Sequence, residues 1–191
     1  MKAVPVLWLT LLSVLATGAQ VFMPGPCPKP DVQRDFDVAQ YLGTWYGVRR
    51  LPHSFQKGQC STATYSFQSP GVIAVRNEGL LDDGSVSTIT GSAFAEDPSE
   101  PAKLLVSFHG VATPPSPYWV LSTDYDGFSV VYSCKEVGGG HRDSAWIMSR
   151  RPTLPSQTLA ELEGTLASAG VLVDQLISTN QDPEYCGRMS Q

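Results

Sequence analysis

The sequence predicts a mainly β fold: an eight-stranded antiparallel up-and-down barrel with one C-terminal α-helix packed on its outside. Between Trp45 and Ile147 the chain consists of short segments rich in Val, Ile, Tyr, Phe, Trp and Thr, separated by turn residues about every ten positions. Some of these segments alternate apolar and polar residues, as strands with one buried face do. After Pro155 the apolar residues follow helical spacing instead.

The N-terminus has the pattern of a secretory signal peptide. Lys2 precedes an apolar run from Val4 to about Ala16, and small residues follow up to Ala19. The run is shorter than the ~20 residues that cross a bilayer. We therefore predict a signal peptide over residues 1–19, one domain over residues 20–191, and secretion to the extracellular space.

Eight segments are predicted as the barrel strands, and eight strands can enclose one small ligand. They are residues 45–51, 60–68, 72–79, 85–94, 102–109, 117–125, 128–135 and 143–150. Before them, the proline-rich stretch Pro24–Pro30 predicts an extended arm. Asp82-Asp83-Gly84 and Asp126-Gly127 are predicted hairpin turns, because Gly tolerates a positive φ and Asp can bond to its own backbone.

The C-terminal part of the sequence predicts one amphipathic helix. Leu159, Leu162, Leu166 and Ala169 lie at helical spacing, Ser156 is the expected N-cap, and Gly170 is the expected stop. The following stretch, residues 171–178, alternates weakly and is compatible with a final short strand.

Charge makes nucleic acid a poor partner. The formal net charge is −5, and it is one unit more negative without Lys2. The pairs Arg49-Arg50 and Arg150-Arg151 are too short to form basic patches, and we interpret them as solvated charges.

Four cysteines remain after the signal peptide, and an even number in an exported chain predicts two disulfides. Cys27, Cys60, Cys134 and Cys186 allow three pairings, and the residues alone leave the choice open. His53, His109 and His141 lie in or beside predicted loops, without metal-site spacing, and we interpret them as solvated. No nucleophile elbow, zinc motif, phosphate loop or dinucleotide fingerprint is found, so no catalytic residue, cofactor or metal is predicted.

Three motifs, in order along the chain, resemble the signatures of the lipocalin family. Gly43-Thr44-Trp45-Tyr46 resembles the first, Thr123-Asp124-Tyr125 the second, and Arg150, four residues after Trp146, the third. The signature residues are Gly43, Trp45, Thr123, Asp124, Tyr125 and Arg150. A guanidinium over an indole gains about 0.5–2 kcal/mol, so Arg150 on Trp45 would close one end of the barrel.

The resemblance extends to the apolipoprotein D-like members of the family along nearly the whole mature chain. It is carried by Asp35-Phe36-Asp37-Val38, Tyr41-Leu42-Gly43, Pro101-Ala102-Lys103-Leu104, Pro117-Tyr118-Trp119, Val131-Tyr132-Ser133-Cys134 and Ala145-Trp146-Ile147. It implies the disulfides Cys27–Cys134 and Cys60–Cys186. The loop at residues 109–115 departs from the family because it lacks larger apolar residues, which puts attachment to a membrane or lipoprotein particle in doubt.

The family's cavity, combined with strand alternation, predicts a ligand site inside the barrel. If Tyr65 points inward, Phe67 shares its face, and the same reasoning groups Asn77 with Val75 and Trp146 with Met148. The predicted ligand-binding residues are Tyr65, Phe67, Asn77, Phe108, Trp146 and Met148. For any one of them, packing of the barrel core is an equal alternative.

These observations predict an extracellular carrier of a small hydrophobic molecule such as a fatty acid, steroid, retinoid or similar lipid. The alternatives are an enzyme with the lipocalin fold, which would need a free cysteine in the cavity, and a protein that interacts with a cell-surface receptor or lipoprotein.

Overall fold

The computed structural model describes residues 22–53 and 56–190, so the predicted signal peptide lies outside the described part of the chain. Within these described residues, ten strands form one antiparallel sheet. They are β1 (Phe22–Pro24), β2 (Gly43–Arg50), β3 (Gln59–Ser69), β4 (Val72–Leu80), β5 (Val86–Ala95), β6 (Lys103–Phe108), β7 (Ser116–Thr123), β8 (Phe128–Val137), β9 (Gly140–Ser149) and β10 (Ile177–Ser178). The eight predicted strands correspond to β2 to β9, with ends that differ by a few residues.

Strands β2 to β9 close into a barrel because β9 pairs with both β8 and β2. On the β2 side, Gly47 lies opposite Met148 and Arg50 lies opposite Trp146. The predicted fold class is confirmed. Among the described residues, no helix is both long and apolar enough to span a membrane.

Strand alternation divides the apolar residues between two cores, one inside the barrel and one outside it. On β9, Trp146 and Met148 belong to the interior core, whereas Ala145 and Ile147 belong to the outer one. The helix α2 (Ser156–Ser168) covers the outer core with Leu162 and Leu166, both buried. The predicted outside helix is therefore confirmed.

Two local predictions are wrong in detail. Pro155, not Ser156, is the N-cap of α2, and Ser156 is its first helical residue. In the β7–β8 turn, Tyr125 rather than Gly127 has a positive φ, of 68°. Gly127 is required for another reason: its amide binds Asp124 Oδ1 at 2.8 Å, and a Cβ at this position would lie 2.7 Å from Asp124 Oδ2. Gly170 ends α2 as predicted, with φ at 90°.

Both chain ends are attached to the barrel. Disulfides join Cys27 to Cys134 and Cys60 to Cys186, which confirms the pairing that the family resemblance implied. Strand β1 pairs with the start of β9, and β10 pairs with the end of β2. Within the described residues, four further short helices are present: α1 (Val38–Tyr41), a 3₁₀ turn (Val173–Gln175), α3 (Pro183–Cys186) and a second 3₁₀ turn (Gly187–Ser190).

Candidate ligand-binding site

One end of the barrel, at the start of β2, is closed by Trp45 and Arg150. Trp45 is fully buried, and the Arg150 Cζ atom lies 3.7 Å from the centre of its ring. The indole Nε1 donates to the backbone oxygen of Tyr41 at 2.9 Å, so the polar edge of the ring is also satisfied. The predicted contact between Arg150 and Trp45 is confirmed.

The Arg150 guanidinium also joins the first and second family signatures by hydrogen bonds. Its Nε donates to the Tyr125 oxygen at 2.9 Å, and Nη1 donates to the Thr44 oxygen at 3.1 Å. Its Nη2 donates to the backbone oxygens of Gln40, Tyr41 and Leu42 at 2.8 to 3.3 Å. These backbone oxygens carry no net charge, so the contacts are hydrogen bonds and not ion pairs. They depend on the planar, forked arrangement of the guanidinium donors.

The second signature shapes the turn that Arg150 contacts. Thr123 Oγ1 donates to the Phe128 oxygen at 2.7 Å and accepts from the Tyr125 amide at 3.0 Å. Tyr125 in turn uses its hydroxyl to accept from the Asp37 amide at 2.9 Å. Through these hydrogen bonds, the signature residues connect the β7–β8 turn to the segment before β2.

Above this plug, a chain of hydroxyl groups crosses the barrel interior. Tyr118 lies between Tyr65 and Tyr41, with oxygen–oxygen distances of 2.7 Å and 2.9 Å, and Tyr41 continues to Ser129 at 2.8 Å. Desolvation raises the pKa of Tyr41 to about 12 and also raises the pKa values of Tyr65 and Tyr118. The phenols therefore remain neutral donors and acceptors at physiological pH.

The structure brings most of the predicted ligand-binding residues together. Tyr65 and Met148 are buried in the interior core, and Phe108 and Trp146 pack against it. Phe67 does not join them, because its side chain is 70% exposed. β2 begins at Gly43, opposite Tyr65, so Phe67 extends past the end of this strand, where β2 no longer covers it.

Asn77, the remaining predicted residue, carries a buried oxygen that lacks a partner. It pairs with Ala63 of β3 and Ile89 of β5, and Ala63 packs against the interior core. Among the described residues, nothing donates a hydrogen bond to Asn77 Oδ1, and the buried hydroxyl of Ser61 on β3 also lacks a partner. A buried acceptor without a donor is costly, so this wall is suited to a ligand with a polar group.

At the other end of the barrel, His53 and Gln56 contact Trp146. The His53 ring stacks on Trp146 with centroids 5.5 Å apart, and its Nε2 forms a hydrogen bond with the Ser144 hydroxyl. Gln56 Oε1 accepts from Trp146 Nε1 at 2.8 Å. Desolvation, with a smaller contribution from the Arg50 charge, lowers the pKa of His53 to about 4, so the ring is neutral at physiological pH.

Three charged or titratable residues lie in surroundings different from those predicted. His53 and His141 are buried rather than solvated, whereas His109 is exposed as predicted. Arg50 is also buried, because it faces the interior opposite Trp146. Sequence position alone missed the two histidines. His53 contacts Trp146 at the end of the barrel, whereas His141 lies on β9 beside the N-terminal arm, with its Nδ1 at 2.9 Å from the Gly25 oxygen.

Two further features lie outside the barrel interior. Cys134, His141 and Asp143 bring potential metal ligands within 4.8 Å of one another, but the Cys134 sulfur is bonded to Cys27. A groove of about 660 Å³ lies between the β7–β8 turn and the start of α2, and Asp124, Asp126 and Arg151 are among its lining residues. Phe128, Leu154 and Pro155 also line this groove.

Solved structures with the same fold include a lobster protein and an insect protein. Apocrustacyanin A1 of lobster superposes with a TM-score of 0.77 at 22% identity, over 89% of this chain and 97% of that one. Insecticyanin of the tobacco hornworm Manduca sexta gives a TM-score of 0.76 at 24% identity, over 88% of this chain and 93% of that one. At these identities the likeness supports the fold alone.

Some sequence relatives have higher identity to this chain than these solved structures do. The chain is 42% identical to apolipoprotein D of Mus musculus over 181 residues, which cover 90% of this chain and 95% of the mouse protein. It is 43% identical to apolipoprotein D of Bos taurus over 167 residues, which cover 87% of this chain and 88% of the bovine protein. Residues 36–181 match the family described as a lipocalin-like domain. The chain therefore belongs to the lipocalin family and is similar to apolipoprotein D.

Proposed function

We propose that this protein is an extracellular carrier that holds a small hydrophobic molecule inside its barrel. The lipocalin fold and the similarity to apolipoprotein D support the general role of a carrier for small hydrophobic ligands. The two disulfides fit an oxidising, extracellular setting. A fatty acid, a steroid, a retinoid or a similar lipid would suit the aromatic and aliphatic wall.

The interior wall carries this proposal. Tyr65, Phe108, Trp146 and Met148 belong to or pack against one apolar core. On the same wall, the buried Oδ1 of Asn77 has no donor among the described residues. An apolar surface with few polar atoms is the usual composition of a small-molecule site.

The direct test is to find what the protein carries. We would purify the secreted protein from its native fluid, extract it with organic solvent, and identify the released compounds by mass spectrometry. The compounds found would then be titrated against the ligand-free protein by isothermal calorimetry. The proposal predicts a stoichiometric apolar compound that rebinds at one site, whereas a protein that neither carries nor rebinds apolar molecules would refute it.

A free-thiol count tests the alternative of a cysteine-dependent enzyme in the same fold. All four cysteines of the sequence are joined in two disulfides. We therefore expect no reaction with a thiol reagent when the unreduced protein is unfolded. One or more reactive thiols would favour the enzyme.

A further inference from the structure

Three possible metal ligands lie together on the outer face of the barrel, where the N-terminal arm is attached. Cys134 of β8 lies directly opposite Asp143 of β9, and His141 lies two positions before Asp143. Residues opposite each other, and residues two apart on one strand, share a face of the sheet. The ligand atoms of the three side chains all lie within 4.8 Å of one another. The strand register therefore brings together a sulfur, an imidazole nitrogen and a carboxylate.

Hydrogen bonds orient the imidazole and the carboxylate, both of which are buried. His141 Nδ1 donates to the Gly25 oxygen at 2.9 Å, so in the neutral ring Nε2 carries the lone pair. This Nε2 lies 3.7 Å from Asp143 Oδ1, which also accepts from the Tyr132 hydroxyl at 2.6 Å. Partners of this kind orient the ligands of zinc sites in proteins.

The separations suit a tetrahedral zinc ion. Zinc bonds of about 2.0 to 2.3 Å place neighbouring ligand atoms about 3.3 to 3.8 Å apart. The distance between His141 Nε2 and Asp143 Oδ1 lies in this range, and a contraction of about 1 Å would bring the whole group into it. What the group lacks is thiolate, because Cys134 is bonded to Cys27 and zinc binds the deprotonated thiol.

The Cys27–Cys134 disulfide is open to a reductant. Both of its residues are partly exposed, whereas Cys60 of the other disulfide is 1% exposed. A groove of about 410 Å³ lies beside it, lined by Gly25, Pro26 and residues 136–140. Thiol–disulfide exchange depends on access to the sulfur atoms. The first disulfide therefore offers two accessible residues to a reductant, and the second offers Cys186 alone.

We propose that reduction of the Cys27–Cys134 disulfide creates a zinc site formed by Cys27, Cys134, His141 and Asp143. A dithiol reductant supplies two electrons and two protons, so that the S–S bond breaks, both sulfurs become thiols and the dithiol closes to its own disulfide. Zinc then binds the two sulfurs as thiolates, and their protons pass to water. The ion replaces the covalent link, and the N-terminal arm stays attached to β8.

The test compares two double variants that contain the same number of cysteines. Cys60→Ser, Cys186→Ser keeps the proposed site, whereas Cys27→Ser, Cys134→Ser keeps only the other pair. Each would be reduced with a water-soluble phosphine, desalted without oxygen and titrated with Co²⁺. Cobalt reports tetrahedral geometry and thiolate ligands through its absorption, and zinc, which binds such sites more tightly, then displaces it. The unreduced proteins give the baseline.

We expect the reduced Cys60→Ser, Cys186→Ser protein to bind one Co²⁺ per chain with a thiolate-to-cobalt absorption band. Zinc should raise its unfolding temperature, because the ion binds the folded chain. In this background, His141→Gln should weaken zinc binding by at least about 10-fold, since even outer partners of zinc ligands contribute that much. His109→Gln, at an exposed position, should leave the affinity unchanged.

Three outcomes would overturn the inference. The first is the absence of cobalt and zinc binding by the reduced Cys60→Ser, Cys186→Ser protein. The second is equal binding by the two double variants, which would show that any two thiols suffice, as they would in an unfolded chain. The third is an unchanged zinc affinity in the His141→Gln protein. The proposed carrier function does not depend on any of these results.

Discussion

Four arginines form two adjacent pairs, and in each pair the two side chains lie in different surroundings. Arg150 lies over Trp45, while Arg151 is exposed. Arg50 faces the interior, while Arg49 contacts Glu163 on the outside. Composition cannot distinguish the members of a pair, but strand alternation can. The predicted contact of Arg150 followed from the family signature, whereas no such signature pointed to Arg50.

Replacing Arg150 by Lys should destabilise the protein although the charge is kept. An ammonium group cannot reproduce the planar contact with Trp45 or reach the five backbone oxygens that the guanidinium contacts. We expect a loss of about 1–3 kcal/mol in the free energy of unfolding. Urea denaturation measures it, with Arg151→Lys as the exposed neighbouring control. Equal effects of the two substitutions would contradict the structural role of Arg150.

Replacing Trp146 by Ala should weaken ligand binding by about 1–3 kcal/mol, because it removes apolar and ring-face contact. Isothermal calorimetry with the extracted ligand measures the change without relying on tryptophan emission. Trp119→Ala is the matched control, since Trp119 packs against the outer core and lies under Lys103 Nζ, 5.2 Å from the ring centre. Unchanged affinity in a folded Trp146→Ala protein would mean that the ligand binds elsewhere.

His53 should make stability depend on pH. Its pKa falls from 6.5 to about 4 on folding, chiefly because the ring is desolvated, so the unfolded chain binds more protons between these values. The contribution of the neutral His53 to the free energy of unfolding is fully present above about pH 6.5. It is lost as the pH falls toward 4, by up to about 3 kcal/mol.

Urea denaturation of the wild type and the variants at pH 7 and pH 4.5 tests this. The carboxyl groups are the same in all of these proteins, so a difference between them reports on the histidine. His53→Gln should lose less stability on acidification than the wild type. His109→Gln, at an exposed position, should behave as the wild type does. A His53→Gln protein with the wild-type pH dependence would refute the role of His53.

At the scale of elements, the spacing of apolar residues predicted the strands and the helix α2. The strands and α2 each bury one face against a core, and burial of one face requires apolar residues at the period of that element. Ends and turns were predicted less well. Pro155 can replace Ser156 as N-cap, and Tyr125 can take a positive φ because Thr123 and Asp124 hold the turn. Such local hydrogen bonds leave no periodic signal.

The C-terminal tail completes the barrel wall where β2 and β3 separate. The two strands pair only from Gly43 to Tyr46 on the β2 side. Beyond that point, β10 pairs with β2, and the Asn180 oxygen accepts from the Cys60 amide at 2.9 Å. Gln181 Nε2 donates to the oxygens of Gly47 and Ser61, both at 2.8 Å, and so connects the strands.

Replacing Gln181 by Met should therefore cost about 1–3 kcal/mol, because two carbonyl groups in a buried gap lose their donor. The measurement is thermal or urea unfolding of the purified protein. Gln157→Met, on the exposed side of α2, is the control and should change stability by less than about 0.5 kcal/mol. If the control loses as much as Gln181→Met, the bridge between β2 and β3 contributes nothing.

At the scale of the whole molecule, the barrel, the outside helix and the disulfide pairing could be predicted, and the cover of the open end could not. The alternation of apolar and polar residues predicted the strands of the barrel wall, and the family resemblance predicted the disulfide pairing. His53 and Gln56 lie in a segment without periodicity, and their contacts with Trp146 join positions some 90 residues apart. Only the closed barrel brings these positions together.

The two disulfides should have similar effects on stability but different effects on the ligand. They close loops with sequence separations of 107 and 126, so chain entropy gives each about 4–5 kcal/mol. Cys27–Cys134 attaches the N-terminal arm to β8, outside the interior. Cys60–Cys186 holds the tail that fills the gap between β2 and β3. The Cys60→Ser, Cys186→Ser protein should therefore release ligand faster, and the Cys27→Ser, Cys134→Ser protein should not. Unfolding curves and stopped-flow dissociation rates measure both effects, and equal dissociation rates would show that the tail does not seal the wall.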